Sequence, residues 1–197
     1  MFIEQPPWFF RAIYPDAIFR MDPDEKAVYL TFDDGPIPEV TPWVLELLDK
    51  HNIKATFFMV GDNIRKHPDV FRMVVERGHR IGNHTFNHIR GFEYLSSNYL
   101  ANTDKANEMM KTDLFRPPHG HMRWMQYMTL KRHYKIIMWD LVTRDYSKKL
   151  RPPQVLASSL PLFYPSILMV STNYKLALHP YLPTVNQIGR ASCRERV

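Results

Sequence analysis

Ala27-Val28-Tyr29-Leu30-Thr31-Phe32 runs directly into Asp33-Asp34-Gly35-Pro36. The first six residues are apolar or β-branched and read as a short buried strand. The next four end that strand in a turn. Thr41-Pro42 then opens a helix, with Thr41 as N-cap and Pro42 at the first helical position. Trp43, Val44, Leu47 and Leu48 follow at helical spacing. A strand that turns straight into a helix is the building unit of an α/β fold.

Outward from this stretch the unit recurs. Ala55 to Val60 reads as a second strand, closed by Gly61. Pro68 to Arg77 reads as a helix with Val70, Phe71, Val74 and Val75 on one face and Gly78 as its stop. Arg80 to Asn83 is a short third strand, and Tyr99 to Lys111 a helix. Leu114 to Arg116 is a fourth strand, ended by Pro117-Pro118. Arg123 to Tyr134 is helical, and Lys135 to Trp139 is a fifth strand. This alternation predicts a parallel α/β fold in one domain of 197 residues. Ser166 to Val170 is a candidate sixth strand.

Composition removes several function classes. The net charge is +6, but the basic residues are scattered, with only short clusters such as Lys131-Arg132 and Lys148-Lys149. With no basic stripe and no reading motif, a nucleic-acid partner is not expected. Cys193 is the single cysteine, so no intrachain disulfide can form. The stretch Trp8 to Phe19 is interrupted by Arg11, Pro15 and Asp16, and no basic segment precedes it. Neither a signal peptide nor a transmembrane segment is expected, and a cytoplasmic location follows as an expectation.

The end of the chain reads differently. Tyr146 to Arg194 holds no Asp or Glu, and no glycine falls between Gly120 and Gly189. Gln187 to Val197 resembles a translated sequencing adapter. The expected division is an N-terminal extension at 1–26, the α/β domain at 27–157, and a non-native or out-of-frame tail at 158–197.

Four groups of residues could carry chemistry. Asp33 and Asp34 sit at the C-terminal end of a strand, where α/β folds keep their sites. Taken alone they read first as a solvated turn. His84 and His88, four apart, can reach one ion if the segment is helical or tightly turned. Two ordinary surface histidines are the plain alternative. Arg116-Pro117-Pro118-His119-Gly120 ends another strand; its Arg can pair with a carboxylate, or the segment is a simple loop. Trp139-Asp140 and Asp145-Tyr146 follow the fifth strand. There an aromatic could line a sugar groove and an aspartate could orient a histidine, although Trp139 alone fits core packing.

Together these groups resemble the polysaccharide deacetylase family, the NodB-homology carbohydrate esterases. Thr31-Phe32-Asp33-Asp34-Gly35 matches the first motif. His84-Thr85-Phe86-Asn87-His88 matches the second. Arg116-Pro117-Pro118-His119-Gly120 matches the third, with His119 where a Tyr is frequent. The resemblance covers about Ala27 to Tyr146 and implies a distorted, incomplete (β/α) barrel, here truncated or frameshifted at its C-terminal end. It implies Asp34, His84 and His88 as ligands of a divalent metal, zinc above all. It implies Asp33 as catalytic base, paired with Arg116, and the backbone N–H of His119 at the oxyanion. Asp145 would tune a catalytic histidine, and Tyr146 stands where the groove usually has Trp. The implied activity is removal of N-acetyl groups from a peptidoglycan- or chitin-like polysaccharide. The family's last motif is a strand ending in histidine. Ser171-Thr172 follow the candidate sixth strand, and Leu176-Ala177-Leu178-His179 is a displaced match, which makes His179 the candidate acid. A non-catalytic metal- and carbohydrate-binding domain, or an inactive gene fragment, is the alternative.

Overall fold

The computed structural model describes residues 5–6, 8–21, 28–143 and 166–171. In chain order these form α1 (Trp8–Ile13), β1 (Val28–Asp33), α2 (Thr41–Lys50), β2 (Thr56–Met59), α3 (Gly61–Lys66), α4 (Pro68–Glu76) and β3 (Arg80–Asn83). There follow α5 (Ser96–Met110), β4 (Leu114–Phe115), α6 (Trp124–Leu130), β5 (Lys135–Ile136), β6 (Leu141–Val142) and β7 (Ser166–Ser171). Every strand pair is parallel, in the order β5-β4-β3-β2-β1-β7-β6.

β5 and β6 stand at opposite ends of that order, yet only residues 137–140 separate them in the chain. The sheet must therefore curl until its ends approach, which makes a barrel rather than an open sheet. The seam is not a regular ladder. Ile18 lies beside Ile137 as an isolated parallel bridge. The Ile18 N–H donates to the Ile136 carbonyl and the Met138 N–H donates to the Ile18 carbonyl, each at 2.8 Å. The expected distorted, incomplete (β/α) barrel is the observed architecture.

Strand alternation sorts the side chains. Phe32 and Phe57 stack with ring centroids 5.0 Å apart and join Val44, Leu45 and Leu48 of α2 and Val74 of α4 in the layer between sheet and helices. Phe58, Leu114, Ile137 and Ile167 fill the other face of the sheet. A small void of about 20 Å³ remains among them, walled also by Tyr29 and Thr31. Gly82 makes room for this filling: a β-carbon there would lie 2.3 Å from the Phe58 ring. On the outside, α5 buries Tyr99, Thr103, Ala106 and Met110, the one-face spacing of an amphipathic helix.

Several local expectations shift. α2 begins at Thr41, with Val40 in the cap position. The Thr41 hydroxyl does not cap the helix; it accepts the Ile37 N–H at 2.8 Å and closes the preceding turn. The fifth strand ends at Ile136 rather than Trp139, because the following backbone turns to Ile18 and to Arg116 for its hydrogen bonds. α1 and the polar α3 carry no clear apolar periodicity and were not expected. Ser166–Ser171 lies inside the stretch set aside on composition, and it pairs with β1 along its whole length, from Val28↔Ser166 to Asp33↔Ser171. Among the described residues no helix is long and apolar enough to cross a membrane.

One buried group outside the site makes stability depend on pH. His79 is 6% exposed, accepts the Ala55 N–H on Nδ1 at 3.3 Å and packs on Phe57. Burial, helped by the charge of Lys54, pushes its pKa down to about 4. The unfolded chain takes the proton first, near 6.5, so this contribution is full above that pH and is lost as pH falls toward 4. The expected loss is about 3 kcal/mol. His79→Gln should remove that part of the slope in urea unfolding between about pH 7 and about pH 4. The same slope in both proteins would contradict the assignment.

Candidate active site

The site stands at the C-terminal ends of β1, β3 and β4. Asp33 closes β1 and is buried, 4% exposed, while Arg116 follows β4 and is wholly buried. Arg116 Nη1 donates to Asp33 Oδ1 at 2.6 Å and to Thr31 Oγ1 at 2.8 Å. Its Nε and Nη2 donate to the Ile137 and Met138 carbonyls at 3.1 and 2.9 Å. The guanidinium carbon lies 4.1 Å over the Phe58 ring centroid. The planar fork thus spans the barrel from β1 to the open seam, a geometry that a lysine cannot reproduce. Burial pushes the Asp33 carboxyl up; Arg116 and His84 oppose this and Asp34 adds to it. A carboxylate raised in this way is a better proton acceptor than an exposed one.

In a regular strand two successive side chains face opposite ways. Asp34 escapes this by adopting a left-handed backbone, φ 73°, uncommon outside glycine. The turn is held by Asn63, whose amide donates to the Asp34 carbonyl at 2.8 Å, and by the Val60 N–H donating to the Gly35 carbonyl at 2.9 Å. The Asp34 carboxylate then reaches His88 Nε2 at 2.9 Å and His84 Nε2 at 3.5 Å.

The two histidines meet through a tight turn, not a helix. Thr85 (φ 63°) and His88 (φ 54°) are both left-handed. Asn83 Oδ1 accepts the Thr85 N–H at 2.8 Å, and its amide donates to the Thr103 carbonyl at 2.9 Å. Asn102 Oδ1 accepts the N–H groups of Phe86 and Asn87 at 2.9 and 3.0 Å. The rings of His84 and His88 end 5.0 Å apart. His84 Nδ1 lies 2.7 Å from the Arg116 carbonyl. A carbonyl can only accept, so Nδ1 carries the proton and Nε2 is left for a ligand.

Asp34, His84 and His88 offer one carboxylate oxygen and two imidazole nitrogens within 4.8 Å of one another. That donor set suits zinc, with a coordination position left over for water or substrate. Burial alone would raise Asp34, but hydrogen bonds and charges from His84 and His88 hold it well below the usual carboxylate range. Burial alone would lower His84, but Asp34 and Asp33 raise it. A cluster that favours positive charge in this way is suited to hold a cation.

His119 is also left-handed, φ 58°, and its ring centroid lies 4.9 Å from that of His88. Desolvation, with the charges of His88 and Arg90, pushes it down to about 4. Trp139 is half-buried and packs over Gly120. Asp140 is buried. It is salt-bridged to Arg11 at 3.0 Å and to Arg20 at 2.6 Å, tying the N-terminal segment to the seam. Asp145, Tyr146 and His179 lie outside the described residues. The supports of the site differ in how they show in the sequence: Asn83 stands directly before His84, whereas Asn102 carries no local signal.

A family model described as polysaccharide deacetylase matches residues 20–131. A peptidoglycan-N-acetylglucosamine deacetylase of Bacillus cereus (strain ATCC 14579) is 38% identical over 123 residues, covering 59% of this chain and 58% of the relative. A second relative of that name from the same organism is 36% identical over 63% of this chain and 48% of its own length. The chain thus spans about half the length of these curated relatives. Among solved structures, the Bc1960 peptidoglycan N-acetylglucosamine deacetylase has a TM-score of 0.79 at 26% identity, over 93% of this chain and 88% of that one.

Proposed function

Because this chain belongs to the polysaccharide deacetylase family, we propose that it is a zinc-dependent hydrolase removing N-acetyl groups from a peptidoglycan- or chitin-like polysaccharide. The observation that carries the proposal is the placing of Asp33, buried and held by Arg116 at 2.6 Å, next to the Asp34–His84–His88 cluster.

In this reading Asp34, His84 and His88 hold the ion. When bound, the ion supplies Lewis acidity to the acetamide carbonyl and lowers the pKa of a water to about 7. Asp33 would accept the proton of the water that attacks the acetamide carbonyl. Arg116 holds the Asp33 carboxylate through Oδ1 at 2.6 Å. The backbone N–H of His119 donates to the oxygen that gains charge. The family resemblance assigns protonation of the leaving amine to a histidine tuned by Asp145, with His179 as the candidate, and assigns Tyr146 to the sugar groove; all three lie outside the described residues.

A second reading, a metal- and sugar-binding domain without turnover, has one observation in its favour. No histidine occurs in Ser166–Ser171, and Ser171 is the residue in register with Asp33. A solved structure described as a mutant of a CE4 family pseudoenzyme with restored activity has a TM-score of 0.75 at 26% identity, over 88% of this chain and 65% of that one. Incubating the chain and zinc with N-acetylated oligosaccharides separates the readings. Equal release of acetate and free amine is the expected result. Binding with no acetate would favour the second reading, and shortened sugar chains with no acetate would overturn both.

A further inference from the structure

Arg116, the partner of Asp33, takes two of its acceptors from one short piece of backbone. Its Nε and Nη2 donate to the Ile137 and Met138 carbonyls, which lie between the end of β5 and the start of β6. On the seam side this linker, residues 137–140, has an isolated bridge in place of a regular ladder. Its position is therefore set by holds made one residue at a time. From the sheet, the Ile137 N–H donates to the Phe115 carbonyl at 2.8 Å and the Asp140 N–H to the Ile167 carbonyl at 3.0 Å.

The N-terminal segment grips the linker from the other side. Ile18 bonds the Ile136 carbonyl and the Met138 N–H, each at 2.8 Å. Two residues on, Arg20 Nε and Nη2 donate to Asp140 Oδ2 at 3.0 and 2.6 Å. Arg11 Nη2 donates to Asp140 Oδ1 at 3.0 Å. Ion pairs in open water contribute little, but the Asp140 side chain is only 6% exposed, and both of its oxygens receive charged donors, which fixes its geometry. Trp139 stands between these anchors with its ring over Gly120, where a β-carbon would lie 2.6 Å from it. The linker thus backs the His119–Gly120 turn as well as Arg116. Arg11, Ile18 and Asp140 all lie outside residues 20–131, the stretch that the family model matches.

We propose that Asp140 and Arg20 are positioning residues for deacetylation, acting on Asp33 through the linker carbonyls and Arg116; the reaction and the base are taken from the deacetylase reading. Removing the Asp140 charge lets both guanidinium groups turn to water and leaves the linker held by Ile18 alone on that side. A linker that shifts carries the Ile137 and Met138 carbonyls with it, then the guanidinium that donates to them, then Asp33 Oδ1. Arg116 is wholly buried and Asp33 is 4% exposed, so water cannot replace hydrogen bonds lost there. A base misplaced by about 1 Å costs about a hundredfold in rate. The turns that present the metal ligands are fixed by Asn63, Asn83 and Asn102 instead, so zinc binding should not follow.

The test compares Asp140→Asn and Arg20→Gln with Val74→Ala, which removes core volume between sheet and helices and reports loss of stability alone. The zinc-loaded proteins are assayed for acetate release well below their unfolding temperatures. Exchange of the Arg116 Nε–H with solvent is followed by NMR, its resonance identified by its absence in Arg116→Lys. In Asp140→Asn, kcat should fall about ten- to a hundredfold with KM and zinc content unchanged. Arg20→Gln should fall less, because Arg11 remains, and Arg20→Lys should recover most of that loss. The Nε–H exchange should rise about tenfold in Asp140→Asn and stay parental in Val74→Ala. Parental kcat in Asp140→Asn, an equal loss in Val74→Ala, or unchanged Nε–H exchange would overturn the positioning role. A parent that releases no acetate would sink the deacetylase reading; faster exchange in Asp140→Asn would then still support the hold on Arg116, and unchanged exchange would remove it too.

Discussion

Asp33→Asn is expected to bind metal like the parent and to lose turnover by about a hundred- to ten-thousandfold, the range for removing a positioned general base. The amide has the shape of the carboxylate but cannot take a proton from water. Asp33 is not one of the three candidate ligands, so zinc content should not change. The substitution also removes the counter-charge of Arg116, which is wholly buried. Breaking a buried pair costs about 3–5 kcal/mol, partly offset here because Thr31 and two carbonyls still accept from the guanidinium. Thermal unfolding should therefore accompany the assay. A folded, zinc-loaded Asp33→Asn protein with parental acetate release would place the base elsewhere.

The second large effect lies in the ligands. Asp34→Ala, His84→Ala and His88→Ala should each lower zinc retention, and acetate release should fall on the order of a thousandfold as the Lewis acid is lost. The three should differ in stability. His84 is buried and its Nδ1–H serves the Arg116 carbonyl, so His84→Ala also strands an acceptor, at about 1–3 kcal/mol. His88 is 31% exposed in its side chain, and its removal should leave stability nearly unchanged. Equal zinc by elemental analysis in the three variants and the parent would remove the site.

Much of this arrangement was legible because it is local. The strand at Val28 to Asp33 ends on two carboxylates, and the turn that follows is written in Gly35-Pro36. The spacing of His84 and His88 likewise announces a shared target, and Arg116 sits at a strand end with prolines behind it. What stayed hidden depends on contacts distant in the chain. Nothing around Ile18 tells that it will bridge Ile137, and nothing around Asp140 tells that Arg11 and Arg20 will hold it. Periodicity also cannot say where a strand stops when side chains supply its last hydrogen bonds, as Arg116 does beyond Ile136. The left-handed turns at Asp34, Thr85 and His88 are set by Asn63, Asn83 and their neighbours rather than by glycine, so the usual marker of such backbone was missing.

That the cluster beside Asp33 works as a metal-dependent deacetylase is tested most directly by stripping the protein with a chelator and titrating zinc back. Bound zinc and acetate release from an N-acetylated oligosaccharide are followed together. The expected result is no acetate from the stripped protein and a rise in proportion to zinc that ends at one ion per chain, absent in Asp34→Ala. Acetate release that survives chelation, or that returns equally in Asp34→Ala, would contradict it.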